Sequence, residues 1–88
     1  MVKTVWVSPR AQKEFRDLQV SIQERIRSGL KDLAAGKRMD VKKLKGTKDK
    51  EDLYRLRVGD YRVTYKIENN MIKVARIDHR GKGYGWLD

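Results

Sequence analysis

Over the last third of the chain, apolar and polar residues alternate with a period of two, and turn residues interrupt the alternation twice. The pattern predicts strands from Leu53 to Val58, from Tyr61 into Ile67 and from Met71 to Asp78, joined as an antiparallel meander. Gly59-Asp60 and Asn69-Asn70 are the expected hairpin turns. Glycine in first position suits a type II′ turn and paired asparagines suit a type I′ turn, because those positions take positive φ. With Gly59-Asp60 at the tip, Tyr54, Leu56 and Val58 share one face with Tyr65, Val63 and Tyr61. The opposite face then sets Arg57 against Arg62, Arg55 against Thr64 and Leu53 against Lys66. Continuing strict alternation through Asn69-Asn70 sets Lys66 opposite Lys73, Arg62 opposite Ile77 and Asp60 opposite His79. His79 is thereby expected on the face of Arg57 and Arg62, with Arg80 following at the end of the strand.

The first third has helical periodicity. Val2 to Val7 is β-branched and aromatic, hence a strand, and Ser8-Pro9 then reads as an N-cap followed by proline in the first turn. Ala11, Phe15 and Leu18 make one apolar stripe. A second helix is expected from Ser21, where Glu24 three residues on completes a capping box, with the stripe Ile22, Ile26, Leu30 and Leu33 and a stop at Gly36. Two short amphipathic helices this close form an antiparallel hairpin, and neither buries its stripe alone, so both pack on the apolar face of the meander. Residues 37–50 carry seven Lys/Arg against two Asp. They read as a basic connection pinned by Val41 and Leu44, serving either as a solvated linker or as a phosphate-contacting arm. The fold class is α+β: an N-terminal strand and helical hairpin packed on a small antiparallel sheet, in one domain spanning residues 1–88.

Charge changes the picture more than size does. The 88 residues carry a net charge of +10. Lys and Arg outnumber Asp and Glu by seven to four over residues 1–36 and by fifteen to eight over residues 37–88, so the excess lies in the half that carries the arginine face. A polyanion partner fits that distribution, set against the plainer role of charge in keeping a small protein dissolved. A membrane surface fits least, since no helix joins a basic face to a broad exposed apolar one. The chain has no cysteine, no apolar run near the roughly 18 residues of a membrane span, and no signal-peptide pattern, which leads to the expectation of a cytoplasmic protein.

Tyr61-Arg62-Val63-x-Tyr65, the strand after it, His79-Arg80 followed by Tyr84, and the upstream Lys43-Leu44-Lys45-Gly46 together resemble the RelE toxins of the RelE/ParE superfamily. The resemblance covers nearly the whole chain in order, length and spacing of elements. It implies the RelE-like fold and a type II toxin–antitoxin role. It further implies a metal-independent endoribonuclease that cleaves messenger RNA in the ribosomal 30S A site, held in check by a cognate RelB-like antitoxin. No cofactor is implied.

Cleavage of RNA by its own 2′-hydroxyl needs a base for the attacking oxygen, charge stabilisation on the phosphorane and an acid for the leaving 5′-oxygen. Arginine suits the middle task, because it stays protonated and its fork matches phosphate oxygens. Arg62 and Arg80 are the clamp candidates, in agreement with the roles the resemblance implies, and Arg55, Arg57, Lys43 and Lys45 are candidate phosphate contacts. His79, the single histidine, excludes a two-histidine mechanism, and Tyr84 and the two lysines are the other candidates for proton transfer. The resemblance implies that Tyr84 orients the reacting nucleotide, with stacking on its base as one means. Where relatives often place lysines, this chain has Leu53 and Arg55, and arginine is a poor general base. A ParE-like gyrase inhibitor and a non-catalytic RNA-binding relative are the competing readings. Metal ligation is not expected: Asp78 and His79 point to opposite faces, and no second cluster of ligands is present.

Overall fold

Capping, alternation and turn chemistry build seven elements: β1 Thr4–Val7, α1 Pro9–Arg16, α2 Val20–Ala34, β2 Val41–Lys43, β3 Tyr54–Val58, β4 Tyr61–Glu68 and β5 Met71–His79. The computed structural model describes residues 3–44 and 53–79. The five strands form one sheet in the order β1-β5-β4-β3-β2. After β1 the two helices carry the chain to the far edge. From there β2, β3, β4 and β5 step back antiparallel until β5 lies parallel to β1. The sheet is therefore mixed. Its second edge strand, β2, lies inside the segment expected to be a connection: Val41 pairs with Leu56, Lys42 with Arg55 and Lys43 with Tyr54.

The helices cover one face. Ile26, Leu30, Ala34 and Ala11 meet Leu56, Val63, Tyr65, Ile72, Val74 and Ile77 in the core, with Phe15, Leu18, Ile22 and Leu33 packed around them. Gly29 lets α2 approach β3 closely, since a Cβ there would stand 3.1 Å from Val58 Cγ2. Helix α1 starts as the sequence predicts, with Ser8 Oγ accepting from the Ala11 amide at 3.1 Å. The capping box at Ser21 and Glu24 does not form. Helix α2 begins one residue earlier, at Val20, with Gln19 at the N-cap and no side-chain cap. A different side chain closes the junction: Gln23 Nε2 donates to the carbonyls of Phe15 and Leu18 at the end of α1. At the other end of α2, Gly36 takes φ of 83°, while the Gly36 and Lys37 amides bond the Leu33 and Asp32 carbonyls. That pair of bonds is a Schellman stop.

Both hairpin turns have the expected chemistry. Asn69 and Asn70 take φ of 54° and 60°, as a type I′ turn requires, and Gly59 takes φ of 58°. The β3–β4 register is the one the sequence implies, and Lys66 faces Lys73 across the second hairpin. Beyond that point the strict alternation fails. Thr64 pairs with Arg76 and Tyr65 with Val74, so Ala75 is an extra, bulged residue. Arg62 consequently faces Asp78, not Ile77, and His79 faces Tyr61, not Asp60. The reason is burial. Ile77 ends 4% exposed in the core, and without the bulge it would exchange faces with the Asp78 carboxylate. Burying an isoleucine stabilises by about 2 kcal/mol, whereas burying a carboxylate among apolar side chains costs more than that. Ser8 secures the bulge from outside: its Oγ donates to the Ala75 carbonyl at 3.0 Å and its amide to the Val74 carbonyl at 2.9 Å.

Candidate functional site

With the bulge in place, the face away from the helices carries two rows of side chains running across the sheet. Arg55, Thr64 and Arg76 form one row, and Arg57, Arg62 and Asp78 form the next. Lys42, paired with Arg55, extends the first row onto β2. Four arginines from three strands thus share one small surface, on the ladder that Gly59-Asp60 fixes. Like charges opposite each other oppose sheet pairing. Carboxylates at the margins offset part of that repulsion. Asp40 lies 3.6 Å from Arg55, and Asp78 lies 3.5 Å from Arg76. Glu14 of α1 holds Arg76 Nε at 3.0 Å and accepts the Ile77 amide at 2.9 Å, completing the outer edge of β5 where β1 has ended. Arg57 is exposed and its Nε donates to the Gly59 carbonyl at 3.4 Å, while Arg62 donates to the His79 carbonyl at 3.3 Å.

The structure separates some of the candidates. Arg55, Arg57 and Arg62 come together. The His79 side chain stands on the other face, its ring meeting Tyr61 edge-on with centroids 5.2 Å apart. The expected placement of His79 among the arginines is therefore corrected: the extra residue at Ala75 inverts the face of everything after it in β5. Only the His79 backbone carbonyl reaches Arg62. Lys43, paired with Tyr54, belongs to the face opposite the arginines, and its neighbour Lys42 occupies the arginine face. Arg80, Lys45 and Tyr84 lie outside the described residues. Thr64 lies opposite Arg55 as the sequence implies, and Arg76, Asp78 and Asp40 join the site although sequence reasoning did not propose them. The signal was present in β5, where the apolar residues Ile72, Val74 and Ile77 step by two and then by three, which is the mark of a bulge.

On the helix side a groove of about 570 Å³ opens between β1, α1 and α2. Its floor is Val5, Val7, Phe15, Leu30, Ala34 and Ile77, and Arg16, Arg27 and Lys31 stand at its rim. Among the described residues, no group of three or more His, Asp or Glu side chains is placed to hold a metal ion. Nor is any helix there long and apolar enough to cross a membrane.

Comparison with known proteins adds the family. Residues 5–84 match the family described as the ParE toxin of the type II toxin–antitoxin system parDE. A search of curated proteins finds no match. Among solved structures, the chain is similar to an archaeal RelE–RelB complex from Pyrococcus horikoshii OT3, with 31% identity, 94% of this chain and 100% of that chain covered, and a TM-score of 0.69. It also shares its fold with the RelBE2 toxin–antitoxin complex of Mycobacterium tuberculosis (22% identity, 91% and 100% covered, TM-score 0.75). The isolated E. coli RelE toxin is a third such structure (20% identity, 96% and 90% covered, TM-score 0.73). With the helical layer, the mixed sheet and the match over residues 5–84 in agreement, this chain belongs to the ParE toxin family of the RelE/ParE superfamily and is the toxin of a type II toxin–antitoxin system.

Proposed function

We propose that this toxin is an endoribonuclease of the RelE kind, cleaving messenger RNA in the ribosomal A site within the cytoplasm. The observation that carries the reading is the cross-strand pair Arg57–Arg62, with Arg55 beside it, on an open sheet face. A phosphodiester laid across that face meets planar donors that stay protonated throughout the reaction. In the reaction the 2′-oxygen attacks the adjacent phosphorus and the bond from phosphorus to the 5′-oxygen breaks. The products are a 2′,3′-cyclic phosphate and a 5′-hydroxyl. Arg62, joined by Arg80, stabilises the charge that develops on the phosphorane, and Arg55 and Arg57 hold the strand. Electrostatic stabilisation of this kind is the largest catalytic contribution such a site makes. One group takes the 2′ proton and another supplies a proton to the 5′-oxygen. Tyr84 and Lys45 are the candidates for these two roles, and His79 serves only by reaching round the end of β5. Lys43 contacts flanking phosphates from the sheet edge. No cofactor takes part.

The cognate antitoxin has two surfaces to neutralise. An acidic segment masks the arginine face, and an amphipathic segment with acidic flanks fits the apolar groove and its Arg16, Arg27 and Lys31 rim. The RelE–RelB complexes among the similar structures support a RelB-like partner.

The match to the ParE family favours a second reading, inhibition of DNA gyrase without RNA cleavage. Controlled expression in a bacterium, with genome-wide mapping of new messenger RNA 5′ ends, separates the two. Growth arrest with cuts phased to the reading frame is the expected result, and Arg62→Ala lowers cleavage by about a hundredfold or more while staying folded. Arrest with intact messenger RNA and inhibited supercoiling by purified gyrase replaces the nuclease reading with the second one.

A further inference from the structure

At the centre of the arginine face sits a hydroxyl with nothing to bond. Thr64 is 0% exposed, and its Oγ1 has no hydrogen-bond partner. Directly opposite in the ladder, Arg55 has a side chain only 17% exposed and a buried Nε that is likewise without a partner. Buried polar groups are almost always satisfied, and two orphans on adjacent strands call for an explanation. Threonine is also the odd choice there. A valine has the same shape, suits a strand better, and avoids the cost of an unsatisfied buried hydroxyl.

The surroundings say what is missing. Arg76 flanks Thr64 on the other side, Arg62 stands two residues along the same strand, and Arg57 lies beyond it. Two donors pointing into a field of guanidinium groups match an anionic oxygen, and charge-assisted bonds to such an oxygen are the strong ones. The restraint on Arg55 is slight: its other nitrogen lies 3.6 Å from Asp40, an exposed residue at the sheet edge. Access to Thr64, which lies opposite Arg55 in the ladder, would come from an outward swing of that long side chain.

We propose that Thr64 Oγ1 and Arg55 Nε form an oxyanion site that takes a backbone phosphate oxygen of the bound RNA, and that Asp40 competes with that phosphate for Arg55. This rests on the nucleic-acid reading of the face. It makes Thr64 a positioning residue that binds the strand and leaves proton transfer to other groups. The free protein keeps two unsatisfied donors so that both are ready when the strand arrives.

The test uses the full chain, with inorganic phosphate followed at the Arg55 Nε–H resonance by NMR, and a 2′-O-methyl RNA that cannot be cleaved followed by anisotropy. Thr64→Val is expected to weaken both ligands by about tenfold, the loss of one hydrogen bond to a charged group. The same variant keeps or raises the midpoint of thermal unfolding, and Thr64→Ser retains binding. Asp40→Asn, remote from the core, is expected to tighten phosphate binding. A lowered midpoint in Thr64→Val with unchanged phosphate affinity would mean a structural hydroxyl bridged by water, and the proposal falls. Unchanged RNA affinity with weakened antitoxin binding assigns the site to an antitoxin carboxylate and also overturns it. If the wild type cuts no RNA yet Thr64→Val still loses affinity for both probes, the site stands and only the nuclease reading fails.

Discussion

Tyr65 buries its ring in the core at 2% exposure and stacks on Tyr54 with centroids 5.7 Å apart. Burial raises the pKa of its hydroxyl, and the neighbouring Tyr54 raises it further. In the unfolded chain the phenol ionises near its ordinary value of 10.0, while in the folded protein it holds its proton to higher pH. The protonated form thus favours the fold: its contribution is complete below about pH 10 and is lost as pH climbs from there through the folded value. Tyr65→Phe is expected to lose less stability than the wild type over that alkaline interval. Urea unfolding of both proteins across the interval checks it, and parallel pH profiles would contradict it. Ser8 acts at the same scale. One hydroxyl caps α1 and holds the Ala75 carbonyl, so a residue legible as an N-cap from its type alone has a second contact, 67 residues away, that no local reasoning supplies.

At the scale of elements, turn chemistry was fully legible. Positive φ at Gly59, Asn69 and Asn70 follows from residue type, and it set the β3–β4 register and with it the Arg57–Arg62 pair. Strand β2 was not legible, because Val41-Lys42-Lys43 is short and charged and pairs only because β3 offers it an edge. The bulge in β5 was half visible, as the three-residue step from Val74 to Ile77. It decides which side chains share the site, so its removal is informative. Deleting Ala75 sets Val74 next to Arg76, so that Tyr65–Val74 and Thr64–Arg76 become consecutive regular pairs, Ile77 stays on the core face, and the expected cost is about 1 kcal/mol, the bond from Ser8 to the Ala75 carbonyl. Ala75→Gly keeps the residue count and is expected to cost less than about 1 kcal/mol. Chemical denaturation of the two variants gives the comparison. A loss of about 3 kcal/mol or more on deletion would show instead that Ile77 had left the core.

For the molecule as a whole, charge separates two functional faces. Four arginines of the sheet face converge within two ladder rows, whereas Arg16, Arg27 and Lys31 ring an apolar groove on the other side. Single-stranded RNA binding is expected to weaken with salt at a slope of about −0.7 per phosphate contacted. Arg57→Gln is expected to remove about one such contact from the slope. Arg27→Gln on the groove side, where the guanidinium lies over the Phe15 ring, is expected to leave it unchanged. Anisotropy titrations over a range of salt concentrations with non-cleavable RNA measure both. Equal effects from the two variants would mean that the strand does not follow the sheet face.

Sequence alone determined the helices, the turns, the apolar face of the meander and the concentration of arginine opposite it, because capping, periodicity and positive φ are properties of neighbouring residues. Tertiary structure alone decided that β1 runs parallel beside β5, that β2 completes the sheet, and that His79 turns away from the arginines while Arg76 and Asp78 join them. Those outcomes depend on which residues an entire core can bury. A single extra residue at Ala75 settles the last of them, exchanging the faces of the end of β5 so that Ile77 is covered and Asp78 is not left among apolar side chains.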